Sequence, residues 1–356
     1  MLEKLKENWF VVLIALGIIG AISFYVYDTN KYNIKELSKN GQQIVATSDS
    51  GDVSADDLYT ELSKNNDELL YNMYRNQVVG QSVKETDEMK SEAKKMADNI
   101  TAYAKQQSAD HYEIILEKEL ATYGYSSAEQ LDEYCLMTVK QKSLNEQYVT
   151  EHFDELIKPL QDKNGRTISL LYINVTNPEE LTEEEQKKKD NVDKSLAKQS
   201  FAETATAFSE DSTTAGNKGF YGYIDSSDST LNQAVIEEAT KLNKGETSDW
   251  ITVTDTTTGA SYLYRVYVEE TDIKTIYNSK NDTAHDQLLY AIITYNNGLE
   301  ETIVQQQASK LKIKFDNKDV QKKIEDYIKR QQTKTEETSD SEQEDTNAET
   351  AEGVAE

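Results

Sequence analysis

The 356-residue sequence has a single cysteine, Cys135, so no disulfide can form within the chain. Basic residues are also few, because 38 Lys and Arg stand against 65 Asp and Glu and give a formal net charge of −27. Nucleic-acid binding needs clustered positive charge, so this balance argues against a nucleic-acid partner. The three histidines, His111, His152 and His285, have no metal-ligand spacing to one another or to the cysteine. The sequence therefore predicts no metal site, and nothing in it indicates a cofactor.

A long apolar run lies near the N-terminus, where residues 9–27 form 19 consecutive positions without a charge. With about 1.5 Å of rise per helical residue, the run matches the ~30 Å core of a bilayer and predicts a transmembrane helix. Lys4 and Lys6 precede it, and the positive-inside tendency then places residues 28–356 outside the cytoplasm. The sequence thus predicts a single-pass protein of the cell membrane. A cleaved signal peptide is the alternative, but the run is longer than a usual signal core.

Helical patterns dominate much of the remaining chain. In residues 67–156 apolar side chains recur at three- and four-residue steps, and no proline occurs before Pro159. Further helical blocks are predicted at 283–307 and 317–332. Cys135 falls in the first region and is predicted to be a buried structural thiol.

The C-terminal residues 333–356 have a different composition. They contain nine acidic residues, one lysine and no aromatic side chain. Such a segment cannot bury enough apolar surface to fold and is predicted to be a disordered acidic tail.

A mixed α/β pattern occupies the middle of the chain. A strand is predicted at 166–175, followed by a charged helix and by a small-residue loop at 212–222. A second helix ends near 242–248, and a last strand runs over 260–268. In order and spacing this unit resembles the parvulin family of peptidyl-prolyl isomerases. The resemblance implies an α+β fold, with a four-stranded antiparallel sheet and flanking helices.

The region before this unit has a resemblance of its own. Val45-Ala46 and residues 53–59 keep the frame of the segment that opens the N-terminal chaperone domain of SurA and of PrsA-like foldases. Together the two resemblances cover nearly all of 43–330 and imply a helical chaperone module with an inserted isomerase domain. The predicted organisation is a transmembrane anchor (1–30), an N-terminal helical chaperone domain (31–160), a parvulin-like domain (161–271), returning C-terminal helices (272–332) and the acidic tail (333–356).

The parvulin resemblance also assigns candidate site residues. The family has two histidines in its polar centre, and both positions are occupied here by tyrosine, Tyr172 and Tyr262. A third family position, Cys or Asp, matches Asp211. These three residues are the candidate catalytic groups, since tyrosine hydroxyls can donate hydrogen bonds much as imidazoles do. Leu231 and Val235 match the apolar cup for the proline ring and are the candidate substrate-binding residues.

These observations predict a membrane-anchored foldase outside the cytoplasm that binds unfolded secreted polypeptides, with isomerase activity weak or lost because the histidines are absent. One alternative is a fully active peptidyl-prolyl isomerase. Another is a non-catalytic scaffold of a cell-surface or secretion assembly. A homodimer through the helical module is a further possible association.

Overall fold

The structure is a computed structural model that describes residues 66–256 and 258–333, together with the backbone of 37–39, 42–48 and 51–54. The predicted transmembrane run and residues 334–356 of the tail lie outside these ranges. Thr333, assigned to the tail from its sequence, is the last residue of the final helix. Within the described ranges, no helix has both the length and the hydropathy that a membrane crossing requires.

The chain alternates between helical and β-rich regions. The described strands are β1 (Leu37–Lys39), β2 (Gln42–Ser48), β3 (Gly51–Ser54), β4 (Arg166–Val175), β5 (Phe220–Ile224), β6 (Ile251–Thr254) and β7 (Ser261–Glu270). The described helices are α1 (Asp67–Ser82), α2 (Asp87–Gln107), α3 (Tyr112–Thr122), α4 (Leu131–Glu151), α5 (Phe153–Leu156), α6 (Glu183–Leu196), α7 (Phe201–Phe208), α8 (Gln233–Lys241), α9 (Ile273–Tyr277), α10 (Asp282–Tyr295), α11 (Leu299–Leu311) and α12 (Lys318–Thr333). The predicted block 283–307 is therefore divided into two helices.

The central sheet has the strand order β5-β4-β7-β6, and all neighbours are antiparallel. This confirms the predicted four-stranded antiparallel sheet. The long strands β4 and β7 pair along their whole length, from Thr167 opposite Glu270 to Val175 opposite Ser261. We call this sheet, with α6, α7 and α8, the sheet unit. Strands β1, β2 and β3 form a separate antiparallel sheet.

Helices cover both faces of the sheet unit, so β4 is buried on both sides. On one face Ile168 and Leu170 pack with Val235 of α8. On the other face Leu171 and Ile173 pack with α6 and α7 side chains, among them Val192, Phe201 and Ala205. Alternate residues of a strand point to opposite faces, so the continuous apolar run of β4 supplies two cores at once.

The helices before and after the sheet unit share one core, in which Val78 and Val79 of α1 pack with Leu288 and Ile292 of α10. Tyr71 of α1 also stacks on Tyr327 of α12, with ring centroids 4.8 Å apart. We call these helices, α1–α5 and α10–α12, the helical module. Cys135 is fully buried within it, as predicted. The order of helices, inserted sheet unit and returning helices agrees with the sequence, while the predicted domain boundaries stay predictions.

The sheet unit contacts the helical module through its edge strand β5. The backbone N–H of Tyr223 donates to Oε1 of Gln287 on α10 at 2.7 Å. The Tyr295 hydroxyl donates to Asp225 Oδ1 at 3.0 Å. Gly222 allows the sheet unit and the helical module to approach each other, because a Cβ at this position would stand 1.9 Å from Gln287 Oε1. Its φ of +123° also favours glycine. The contact fixes the sheet unit by its β5 edge and leaves the opposite edge strand, β6, away from α10.

One ionisable side chain is buried in an apolar part of the helical module. Glu119 of α3 is only 7% exposed, and its Oε2 has no hydrogen-bond partner among the described residues. It lines a cavity of about 30 Å³ with apolar and aromatic neighbours, among them Ile100, Leu120 and Tyr134. Burial disfavours the charged form and raises the pKa of Glu119 from an ordinary value of 4.5 to about 7.

This buried carboxyl is expected to make stability depend on pH. Because its folded-state pKa is raised, the stability contributed by the neutral form is fully present below about pH 4.5 and is lost as pH rises through about 7. We expect Glu119→Gln to reduce the fall in Tm between pH 5 and pH 8 by several degrees. Glu113→Gln, on the exposed part of the same helix, is the matched control and should leave the fall unchanged. Equal pH profiles for the wild-type chain and Glu119→Gln would contradict the prediction.

Candidate functional site

Three tyrosines converge on the sheet face that α8 covers. Tyr172 lies on β4, and Tyr262 and Tyr264 lie on β7. The ring of Tyr172 is 5.1 Å from Tyr262 in an edge-to-face arrangement and 5.1 Å from Tyr264, and the last two are 6.1 Å apart. These are the separations at which aromatic pairs attract. All three side chains are half-buried, so the tyrosine cluster presents an aromatic surface that is still partly open to solvent.

Strand register explains why these three rings meet. Tyr172 lies directly opposite Tyr264, whereas Tyr262 lies opposite Asn174. Side chains two residues apart share a face, so Tyr262 and Tyr264 both reach the ring of Tyr172. The sequence analysis paired Tyr172 with Tyr262 alone and missed Tyr264. The alternation of Tyr262 and Tyr264 along one strand was the signal that could have revealed it.

Asp211, the third predicted catalytic residue, is buried in the loop that follows α7. Its Oδ2 accepts from the Thr214 hydroxyl at 2.6 Å, and its Oδ1 accepts from the Thr213 N–H at 2.8 Å. The loop is held against β4, because the N–H of Glu210 donates to the Tyr172 carbonyl oxygen at 2.9 Å. Both carboxylate oxygens are thus engaged within the loop. Asp211 shapes the loop and also places a negative charge near the tyrosine cluster.

The electrostatics of the site keep the phenols of Tyr172 and Tyr264 protonated. Burial is the main cause that raises the pKa of Tyr264, and Tyr172 and Asp211 raise it further. Burial followed by the Asp211 charge likewise raises the pKa of Tyr172. Both hydroxyls therefore retain their protons at neutral pH and can donate hydrogen bonds to a ligand.

The two predicted cup residues differ in accessibility. Leu231 is partly buried and packs at the margin of the same apolar cluster as Tyr262 and Tyr264. Val235 is fully buried in the core beneath the cluster, so a ligand would reach Leu231 first. Tyr221 of β5, which sequence reasoning missed, also packs against this cluster, and its hydroxyl lies 2.7 Å from the Thr230 hydroxyl. Burial raises the pKa of Tyr221 to about 12. Whether Leu231 and Val235 contact substrate stays a prediction.

The site combines apolar side chains, aromatic edges and hydroxyl donors, and both oxygens of the buried Asp211 carboxylate accept hydrogen bonds within its own loop. Such a surface suits an uncharged, ring-shaped or extended part of a polypeptide, held by apolar contact and by hydrogen bonds to its carbonyl groups.

A family model matches the middle of the chain. Residues 170–260 match the family model described as Rotamase, the PPIC-type PPIASE domain. The parvulin-type unit predicted from the sequence is thereby confirmed over these residues. The matched range contains Tyr172, Asp211, Leu231 and Val235 and ends just before Tyr262. Among curated proteins there is no match.

Several solved structures are similar to the chain. The foldase protein PrsA of Streptococcus pneumoniae shares 20% identity at a TM-score of 0.42, covering 80% of this chain and 99% of that chain. PrsA of Bacillus subtilis shares 21% identity at a TM-score of 0.42, with 79% and 98% covered. A structure of SurA-like chaperones, PEB4 and Cj1289 of Campylobacter jejuni, shares 17% identity at a TM-score of 0.23, with 77% and 99% covered.

Proposed function

We propose that this chain is a membrane-anchored foldase that acts outside the cytoplasm and binds unfolded secreted polypeptides, with isomerase activity that is weak or absent. The observation that carries the proposal is the tyrosine cluster beside Asp211, within a domain of PPIC type. An aromatic, half-buried surface with protonated phenols can hold a proline ring and bond to the neighbouring peptide carbonyls.

Peptidyl-prolyl isomerisation requires no covalent catalysis from such a site. The reaction is rotation about an X-Pro amide, whose barrier is about 18–20 kcal/mol, and no covalent bond changes. Acceleration requires that the site bind the twisted amide more tightly than the planar one. Tyr172, Tyr262 and Tyr264 supply hydroxyl donors where parvulins carry imidazoles at two positions. Because tyrosine occupies both positions at which the family carries histidine, we expect binding to persist and rate enhancement to be small.

The cellular setting of the proposal rests on the sequence. The uncharged run at 9–27 would anchor the chain, and Lys4 and Lys6 would keep the N-terminus in the cytoplasm. We propose the same five-part organisation that the sequence predicts, with boundaries after residues 30, 160, 271 and 332. The homodimer through the helical module also stays a prediction.

Two assays on the full-length chain in detergent test the proposal. Suppression of aggregation of a reduced secreted protein measures client binding, and proline-limited refolding of a model protein measures isomerase activity. We expect suppression at stoichiometric amounts and a refolding rate enhancement well below that of a parvulin with both histidines. Asp211→Ala and Tyr262→Ala should each weaken suppression.

The same measurements separate the competing functions. A refolding enhancement equal to that of a two-histidine parvulin would favour the fully active isomerase, for which the retained Asp211 is the supporting observation. Absence of suppression, together with recovery of one fixed partner, would contradict the foldase and favour a scaffold. Unchanged activities in both variants would show that the site has been assigned to the wrong residues. Glu113→Gln, remote on α3, is the control for non-specific effects of substitution.

A further inference from the structure

A histidine with a fixed orientation lies where the sheet unit leads back into the helical module. The Nδ1 of His285 on α10 is 2.6 Å from the carbonyl oxygen of Tyr277, the last residue of α9. A carbonyl oxygen only accepts, so Nδ1 carries the hydrogen and the lone pair of the neutral ring resides on Nε2. The ring of Tyr277, 4.8 Å from the imidazole, further restricts its rotation.

The Nε2 nitrogen of His285 faces carboxylates from two helices. His285 Nε2 is 3.8 Å from Oε1 of Glu146 on α4, and Asp286 follows on α10. One ligand atom from each of Glu146, His285 and Asp286 lies within 4.8 Å of the others. We propose that this junction cluster (Glu146, His285 and Asp286) binds a divalent metal ion of the zinc class. An imidazole whose other nitrogen donates to a backbone carbonyl, combined with two carboxylates, is a ligand set that Zn²⁺ accepts.

The side-chain ammonium of Lys142 lies beside the carboxylates of the junction cluster. The ammonium of Lys142 on α4 is 2.9 Å from Asp286, 4.0 Å from Glu146 and 3.6 Å from Glu92 of α2. The convergence of carboxylates on one ammonium shows that positive charge is stabilised there. A doubly charged ion with three direct ligands gains more from the same groups, and Lys142 keeps Glu92 as a partner when it turns away. Lys142 therefore competes with the metal and limits its affinity.

The junction cluster joins helices that precede and follow the sheet unit in the chain, so a metal ion bound there would affect the structure of this junction. Glu146 belongs to a helix before the sheet unit, whereas His285 and Asp286 belong to the first long helix after it. The carbonyl that orients His285 belongs to Tyr277, the last residue of α9, and α9 is the helix that follows β7. A bound ion would thus join the entry and exit sides of the inserted unit and stabilise the junction. This inference is independent of the proposed foldase function.

Sequence spacing could not indicate this site, because Glu146 is remote from His285 along the chain. The prediction of no metal site rested on the spacing of histidines and the cysteine alone. The packing of α4 against α10 brings the Glu146 carboxylate close to the His285 imidazole.

The test is calorimetric titration of ZnCl₂ into the full-length, EDTA-treated chain without a histidine tag at pH 7.5, with Tm measured in parallel. We expect one ion per chain and a Tm that rises with zinc and returns on chelation. His285→Ala and Glu146→Gln should each weaken binding at least about tenfold. Lys142→Met, which removes the competing ammonium, should strengthen it. Circular dichroism confirms that each variant is folded.

His152→Ala is the matched control, since the Nδ1 of His152 also lies 2.9 Å from a carbonyl oxygen but the residue is outside the cluster. Its zinc affinity should equal that of the wild type. Failure to bind zinc, or equal binding by wild type and His285→Ala, would overturn the proposal. Binding of Ca²⁺ as tight as that of Zn²⁺ would also overturn it, because a site built on imidazole nitrogen favours zinc.

Discussion

Replacing Tyr264 by alanine is expected to weaken binding of a proline-containing peptide about tenfold, which corresponds to about 1.4 kcal/mol. The ring of Tyr264 contacts those of Tyr172 and Tyr262 at 5.1 and 6.1 Å. Each aromatic pair is worth about 0.5–1.5 kcal/mol beyond its area, so loss of the Tyr264 ring removes two such pairs and disorders the surface that remains. Fluorescence anisotropy of a labelled peptide measures the affinity.

A second substitution separates the ring of Tyr264 from its hydroxyl. Tyr264→Phe keeps the aromatic surface and removes the donor, so we expect peptide affinity to fall by less than in Tyr264→Ala. Any residual isomerase rate should be lost in both. Tyr267→Phe is the matched control, because Tyr267 lies on the opposite face of the same strand, stacked on Phe201. If Tyr267→Phe weakened binding as much as Tyr264→Ala, the ligand would not lie on the tyrosine cluster.

Gly222→Ala is expected to lower the free energy of unfolding of the sheet unit by about 2–4 kcal/mol. Its φ of +123° is strained for any residue with a Cβ, and the added methyl would displace Gln287. Displacement breaks the 2.7 Å hydrogen bond that Gln287 accepts from the Tyr223 N–H. Urea unfolding followed by the fluorescence of Trp250 measures the change, with Trp9→Phe in both chains so that Trp250 is the only tryptophan.

Gly245→Ala provides the control for this prediction. Gly245 also has positive φ, +84°, but nothing lies within 4 Å of a Cβ built there. It should therefore show backbone strain alone, about 1–2 kcal/mol. Gln287→Ala, which removes the hydrogen bond without strain, should cost about 1 kcal/mol. Equal losses for Gly222→Ala and Gly245→Ala would mean that the contact between β5 and α10 contributes nothing to stability.

Local patterning predicted the elements of the sheet unit well. The strand predicted at 166–175 has the bounds of β4, because a run rich in Ile, Leu and Val can satisfy two covered faces only as a central strand. The predicted helical block 283–307 is interrupted, since the chain turns at Asn296, Asn297 and Gly298, and the second of its two helices continues to Leu311. A break of this kind depends on how α10 and α11 pack, which periodicity within one helix does not report.

The candidate site was predicted only in part, and strand register is the reason. The sequence placed Tyr172, Asp211 and Tyr262 in one unit, and the structure brings all three near one another. It could not show that Tyr264 is the residue opposite Tyr172, because a shift of one residue would turn a side chain to the other face. Nor could it show that Val235 is buried, since both faces of a short helix can carry apolar residues.

The sequence by itself determined the kinds of element and their order, because periodicity and spacing are local properties of the chain, and its resemblance to the parvulin family indicated the class of the inserted unit. Only the tertiary structure decided which distant side chains meet. The contact of Gly222 with Gln287, the ring of Tyr264 against Tyr172 and the approach of Glu146 to His285 each join segments far apart in the chain. Such contacts are set by packing between elements, so the pattern within any one element does not contain them.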